Sequence, residues 1–328
     1  MKKDDVSSGG SGGLGGRWGP LVVRFSLAAV PLVGVVELAL HLKQTTSDVV
    51  PDADWIAARE AVKAEAKPED LVVFAPFWAD PLGRRWFGEE LAGIKREARP
   101  DESRFRRAFE VGIRGAHLPE LEGWKKTSER AVGKITIGVY DNPTPVTVHT
   151  DLLDFVGPER MTVSRVEGSS ETSCPWQHGV GQPGGLGVPQ GVALPGDRFQ
   201  CGGGGYVGVA VLHALDHHPH LCLFASPQGG GSLKIRFSKV VFGTSLHGHS
   251  GVQWVTERVP SQERIQVAFS AFDRPIGQNA HKIGAGWTGF EFPTPELAGK
   301  KGDLVAEVTN GAAPRAYCFE ADTRDVGP

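Results

Sequence analysis

No two of the four cysteines in this 328-residue chain form a Cys-x-x-Cys pair, which removes the zinc-ribbon and thioredoxin-type readings. No strand is followed by a Gly-x-Gly-x-x-Gly turn, and no Walker-type Gly-x-x-x-x-Gly-Lys-Ser/Thr occurs. Gly181-Gln-Pro-Gly-Gly and Gly202-Gly-Gly-Gly-Tyr lack the lysine and the strand–helix setting, so nucleotide binding is not expected. Gly248-His-Ser-Gly251 falls short of a Gly-x-Ser-x-Gly nucleophile elbow, and no His-Glu-x-x-His is present. An excess of charge of one sign is missing too: 35 Lys and Arg against 38 Asp and Glu leave a net charge of −3. No basic footprint for nucleic acid results. With 40% hydrophobic and 22% charged residues, wholesale disorder is excluded.

What the chain does have is glycine and proline, concentrated in the second half, which suits short strands and many turns. All four cysteines lie there. Their even number and wide spacing suit two disulfides in an oxidising compartment. Three pairings are open; Cys174–Cys201 within the loop-rich part and Cys222–Cys318 between an early and a last strand are favoured.

The N-terminus starts Gly/Ser-rich, and 1–19 is expected to be disordered. The segment 20–44 is then apolar from Phe25 to Leu40 except for Ser26 and Glu37. That is near the lower limit for a membrane span. Lys2, Lys3, Arg17 and Arg24 precede it and orient the remainder outward. A single-pass anchor in a bacterial inner membrane, with the C-terminal part in the periplasm or exterior, is the expectation. A cleaved signal peptide is the rival, but no clean small-x-small site follows Leu40. A buried soluble helix is the third reading, against which Pro31 and Gly34 count.

From 52 to 167, helix and strand signals alternate, predicting a small α/β domain. Helix signals run from Trp55 to Ala66, Leu82 to Arg96 and Glu102 to Ala108. Leu71–Ala75 reads as a strand buried on both faces; Ile135–Tyr140, Val146–His149 and Met161–Val166 also read as strands. Trp78, Asp80, Arg84 and Arg85 follow the buried strand, where open α/β sheets bind ligands. The two arginines suggest an anionic ligand; a solvated helix start is the alternative.

The segment 168–205 reads as a Gly/Pro-rich loop and 206–322 as an antiparallel β-sandwich of jelly-roll type, with 323–328 a tail. Leu233, Ile235 and Phe237 alternate with Lys234, Arg236 and Ser238, and Ile265, Val267 and Phe269 repeat the pattern. Further strands are expected at Tyr206–His213, Leu221–Ala225, Val252–Glu257, Trp287–Phe292, Leu304–Val308 and Ala316–Ala321. Turn signals at Gln228-Gly-Gly-Gly and Asn310-Gly separate them.

Histidines are conspicuous in Val211-Leu-His-Ala-Leu-Asp-His-His-Pro-His and Thr244-Ser-Leu-His-Gly-His-Ser. On a strand, His247 and His249 share one face and suit a transition metal, with Asp216 or His218 to complete the set; polar loop histidines are the plain alternative. Trp254 and Trp287, with Gln253 and His281 nearby, suit stacking against a sugar ring, although core packing is the commoner fate of a tryptophan. No cofactor is expected.

Trp55 to Tyr140, with Asp70-Leu-Val-Val-Phe-Ala-Pro and Arg106-Arg-Ala-Phe-Glu-Val-Gly-Ile-Arg-Gly, resembles the exported soluble region of bacterial membrane glycosyltransferases that use polyprenyl-linked sugars. The second half, with Gly286-Trp-Thr-Gly-Phe and Leu297-Ala-Gly, resembles sugar-binding jelly rolls. The multi-spanning catalytic core of those transferases is not part of this sequence, so no catalytic residue carries over. The resemblance implies three roles: a non-catalytic binder of glycan or envelope polysaccharide, a scaffold partner of a membrane glycosyltransferase, or an associated enzyme. The last would be a metal-dependent hydrolase, or a glycosyltransferase-associated enzyme, with its site between the two domains.

Overall fold

The computed structural model describes residues 31–44, 49–99, 101–179, 196–202, 205–216, 218–227, 231–259, 264–309 and 315–325. Residues 31–44 form helix α1, on which Leu32, Val33, Val35, Val36, Leu38 and Leu40 are exposed. Among the described residues no helix is long and apolar enough to cross a membrane. The first part of the expected anchor, 20–30, lies outside them. Met1–Pro51 is one unit and Asp52–Pro328 another, and every sheet belongs to the second.

Helix α2 (Asp52–Lys63) opens on Asp52 and Asp54, whose charges suit a helix N-terminus. It buries Trp55, Ala58 and Val62 as one stripe. Strand β1 (Leu71–Ala75) is buried throughout, as its unbroken apolar run predicts. It pairs in parallel with β2 (Arg107–Ile113). Beyond β2 come β4 (Ile135–Asp141) and β3 (Lys125–Val132), both antiparallel. Helix α3 (Asp80–Ala92) packs on β1 at Gly83, where a Cβ would stand 2.1 Å from Cδ1 of Phe74. Only glycine admits that approach. Helix α4 (Ile94–Glu97) follows. The helix expected at Glu102–Ala108 does not form. The Phe105 amide closes a turn on the Glu102 carbonyl at 2.9 Å, and Ala108 already pairs with Leu71 in the sheet. Arg107 fixes that register by reaching Asp70 at 2.7 Å.

The remaining strands make two facing antiparallel sheets, so the sandwich is borne out. They are β5 (Thr147–Asp151), β6 (Met161–Glu167), β7 (Ser170–Ser173), β8 (Trp176–Gln177), β9 (Arg198–Gln200), β10 (Tyr206–His213) and β11 (Pro219–Ser226). Then come β12 (Ser232–Val241), β13 (Ser245–Val252), the short helix α5 (Trp254–Glu257), β14 (Arg264–Ala271) and β15 (Arg274–Lys282). The last are β16 (Thr288–Pro293), β17 (Lys301–Thr309) and β18 (Tyr317–Asp325). One sheet runs β16-β13-β18-β11-β10-β9-β8, with β5 also on β18; the other runs β15-β14-β17-β12-β6-β7. Between them Leu233, Ile235, Phe237, Ile265, Val267 and Phe269 form the core with Leu246, Phe319 and Ala321. The alternation read from the sequence therefore points inward as expected.

Several boundaries differ from expectation. β5 and β6, assigned from sequence to the α/β part, pair with β18 and β12 of the sandwich. The expected loop 168–205 contributes β7, β8 and β9, with 180–195 outside the described residues. Thr323–Asp325, expected in the tail, continue β18. Val252–Glu257 is not a strand: after Val252 the Gln253 carbonyl accepts from the Thr256 and Glu257 amides, at 3.0 and 2.9 Å, and starts α5. The turn signals at 228–230 and 310–311 lie outside the described residues.

Both favoured disulfides are present, Cys174–Cys201 and Cys222–Cys318. The second ties β11 to β18, which are sheet neighbours.

Candidate functional site

Because β18 alternates, its even-numbered residues point away from the core. Cys318, Glu320, Asp322 and Arg324 lie on the outer face of the larger sheet, yet all are buried. The segment after α4 covers them. The Leu221 amide donates to the Ala98 carbonyl at 2.8 Å. Arg324 grips both oxygens of Asp322 and reaches Asp101 and Ser103, each at 3.1 Å. Arg104 meets Asp151 of β5 at 2.7 Å. Burial works to raise the Asp101 carboxyl, but the Arg324 charge and the Ser103 hydrogen bond hold it below its usual range. Charged pairing thus fixes 99–104 to the sandwich. It sets Arg99 and Glu102, themselves paired at 2.8 Å, into a wall.

That wall bounds a cleft of about 580 Å³. Its opposite side is the turn between β1 and α3, with Phe77, Trp78, Asp80 and Arg84, and its end is the β10–β11 connection, with His213, Asp216, His218 and His220. Leu118 and Glu120 close a third side. Buried Glu110 of β2 anchors that stretch by accepting from the Leu118 amide at 2.6 Å and the Tyr140 hydroxyl at 3.0 Å. Phe77 and Trp78 are about half exposed, at 49% and 51%. Phe77 stacks on His218 with centroids 4.9 Å apart, and the Arg114 guanidinium sits 5.5 Å from the Trp78 ring.

The polar lining is largely paired. Arg84 Nε donates to Asp80 Oδ2 at 3.0 Å. His220 Nε2 meets Asp216 Oδ2 at 2.9 Å, and the His218 amide donates to Asp216 Oδ1 at 2.9 Å. Burial pulls the His220 imidazole below its ordinary value despite that carboxylate. Burial works to raise Asp216, but the hydrogen bond and charge of His220 leave it lowered. Four carboxylates, Asp80, Glu102, Glu120 and Asp216, line the cleft against two guanidiniums, Arg84 and Arg99. The lining is therefore net acidic. Of the two arginines expected to meet an anionic ligand, Arg84 lies in the cleft paired with Asp80, and Arg85 is exposed and outside the cleft lining.

The other expected site residues lie elsewhere. Trp287 is stacked between His220 (4.3 Å) and His249 (6.3 Å), which leaves its faces engaged with imidazoles. Trp254 is half-buried with the Arg258 guanidinium 4.6 Å from its ring. Gln253 and His281 are buried. His281 Nε2 meets Glu257 Oε1 at 3.0 Å, and the same oxygen accepts from the Gly284 and Gly286 amides, at 3.2 and 2.9 Å. Those bonds hold the turn that presents Trp287. His247 and His249 share a face, 5.0 Å apart, but turn to carboxylates. His249 Nδ1 lies 2.6 Å from Glu320 and His247 Nδ1 3.6 Å from Asp101. Among the described residues no group of three or more His, Cys, Asp or Glu is placed to hold a metal. His217 lies outside them.

Neither a family model nor a curated protein matches this sequence. Solved structures do show a distant likeness. One is a carbohydrate-binding module described as promiscuous, from the β-sandwich superfamily. It has a TM-score of 0.29 at 11% identity, over 59% of this chain and 68% of that one. A second is a module in complex with β-1,4-galactotriose, with a TM-score of 0.22 at 12% identity, over 35% and 79%. A third is a family 43 arabinoxylan arabinofuranohydrolase from Bacillus subtilis, with a TM-score of 0.27 at 11% identity, over 67% and 41%. Likenesses of this size add nothing to the strand pairing, which shows the sandwich by itself. The resemblance of 55–140 to glycosyltransferase soluble regions finds no support in them.

The sequence had singled out both sides of the cleft, the Trp78–Arg84 turn and the His213–His220 loop. It missed Arg99, Glu102 and Glu120. No local signal marks these three; only the docking of 99–104 on the sandwich brings Arg99 and Glu102 in.

Proposed function

We propose that this chain is an envelope protein that binds carbohydrate, without catalysis, in the cleft between the β1–α3 turn and the β10–β11 loop. The observation that carries this reading is the half-exposed Phe77–Trp78 pair at the cleft. A pyranose stacks its C–H face on an indole while its hydroxyls seek carboxylates and imidazoles, and here both are within one cavity. A net acidic lining suits neutral or cationic sugars and opposes anionic ones. Among the described lining residues none is Ser, Thr or Cys, so no hydroxyl or thiol nucleophile is offered. The exposed leucines and valines of α1 support attachment to a bacterial inner membrane through the N-terminal segment, with the sheets in the periplasm or exterior. Two disulfides agree with that compartment. An enzyme is the second reading, resting on the Asp216–His220 pair in the cleft wall.

Binding of the detergent-solubilised full chain to a glycan array tests the proposal. Trp78→Ala should weaken the bound glycans by about tenfold or more, a hot-spot loss of at least ~1.4 kcal/mol, while Trp254→Ala leaves them unchanged. A folded chain that binds no glycan would refute the reading and favour a scaffold role beside a membrane glycosyltransferase. Turnover of a bound glycan would favour the enzyme.

A further inference from the structure

Strands β1 and β2 run parallel with Ala75 opposite Gly112, so the chain leaves both at the same end of the sheet. Trp78 stands three residues past Ala75, and Arg114 two past Gly112. The Ile113 carbonyl accepts from the Ala116 amide at 3.1 Å, closing a turn on Arg114 and Gly115, whose φ angles are 57° and 69°. Two successive left-handed residues mark a type I′ turn, in which Asn-Gly is the favoured pair. Gly112 lets the chain fold back this closely, since a Cβ there would stand 2.8 Å from the Ala116 carbonyl oxygen. An arginine in the first of those two places is disfavoured, because its Cβ crowds the following carbonyl. Burial does not account for it, as Arg114 is exposed.

What the side chain reaches is the indole. The guanidinium carbon lies 5.5 Å from the centre of the Trp78 ring, within the range of a cation–π contact, for which tryptophan is the best partner. Trp78 lines the cleft and Arg114 does not, so the guanidinium meets the ring from outside the cavity. Trp78 sits in the single-turn helix Phe77–Ala79 and is 51% exposed. A side chain so exposed loses rotamer freedom when a ligand stacks on it, and holding it beforehand removes that cost. A disfavoured backbone kept at an exposed turn points to use of the side chain it carries.

We propose that Arg114 is a positioning residue for carbohydrate binding: its guanidinium backs the Trp78 indole and fixes the ring where a sugar stacks. This rests on the carbohydrate-binding reading of the cleft and deepens it.

The test compares Arg114→Asn and Arg114→Lys in the detergent-solubilised full chain labelled with 5-fluorotryptophan. Each of the eight tryptophans gives one fluorine resonance, and the one missing from Trp78→Phe is that of Trp78. Asparagine suits the left-handed backbone, so Arg114→Asn should melt no lower than the unaltered protein, followed by circular dichroism. It should nonetheless move the Trp78 resonance and weaken the glycan-array signals, read over a protein dilution series, by about threefold to tenfold. Arg114→Lys keeps a cation for the ring and should recover part of both. Destabilisation by Arg114→Asn would make the arginine a support of the turn and overturns the proposal. An unmoved Trp78 resonance overturns it too, as does a moved resonance with unchanged glycan signals; all three results leave carbohydrate binding standing. If the unaltered chain binds no glycan, both readings fall.

Discussion

Replacing Cys222 and Cys318 together by alanine tests how the sandwich is held. The bridge joins residues 96 apart in sequence, whereas Cys174–Cys201 spans 27. In the chain-entropy account, closing these loops restricts the unfolded chain by about 4.7 and about 3.6 kcal/mol respectively. All four cysteines are buried, so trimming either pair to alanine leaves cavities of similar kind, and that contribution largely cancels between the variants. The difference of about 1 kcal/mol then reports loop length alone. For a chain of this size each kcal/mol moves the melting point by about 2–4 °C. Cys222→Ala/Cys318→Ala should therefore melt about 9–19 °C below the native protein, and about 2–4 °C below Cys174→Ala/Cys201→Ala. Scanning calorimetry under non-reducing conditions measures both. A larger loss from the shorter loop would refute the loop-length reasoning. Free thiols in the chain isolated from its native host would refute the proposed oxidising compartment.

Glu320 is wholly buried, and burial pushes its carboxyl up to about 7, against the hydrogen bond from His249. An acid whose folded value lies above its unfolded 4.5 binds more protons in the folded state, so stability falls as pH rises from about 4.5 through 7. His249 is raised also: burial would lower it, but the Glu320 hydrogen bond and charge prevail. Its contribution is likewise lost as pH rises. Glu320→Gln should remove a loss on the order of 3 kcal/mol between pH 5 and 8, read as a flatter profile of urea midpoints; an unaltered slope would sink the assignment. Glu257→Ala strips the shared acceptor from His281, Gly284 and Gly286 and should cost roughly 3–5 kcal/mol. Hydrogen exchange at the 284 and 286 amides should accelerate ahead of the rest of the sheet, and unchanged protection there would contradict the anchoring role.

The core strands β12 and β14 were legible because alternation is local: each period of two sits within a few residues and directly reports which face is covered. The disulfides were legible because only three pairings exist and the sandwich puts β11 beside β18. β5 was legible as a strand, but the sheet it joins was not, since its partner lies more than 170 residues away and nothing within five residues records that pairing. Where each tryptophan packs was hidden for a similar reason. Trp287 and Trp78 look alike in sequence, and only the assembled sheet sets imidazoles against the faces of one and leaves the other half exposed. Gln253 and His281 read as polar partners for a sugar beside the tryptophans, yet both side chains are buried. The cleft was noticed in two separate pieces, about 130 residues apart, with no sequence signal that they meet.

In chain order β18 follows every other described strand of the larger sheet, yet it lies between β13 on one side and β11 and β5 on the other. Until residues 317–325 emerge, the larger sheet has a gap at its centre, and β11 and β13 present open edges. A chain made from its N-terminus onward therefore stays uncommitted over this sheet until β18 is made. The same delay leaves Cys222 without its partner until β18 is made, so oxidation of this pair and closure of the sheet are coupled.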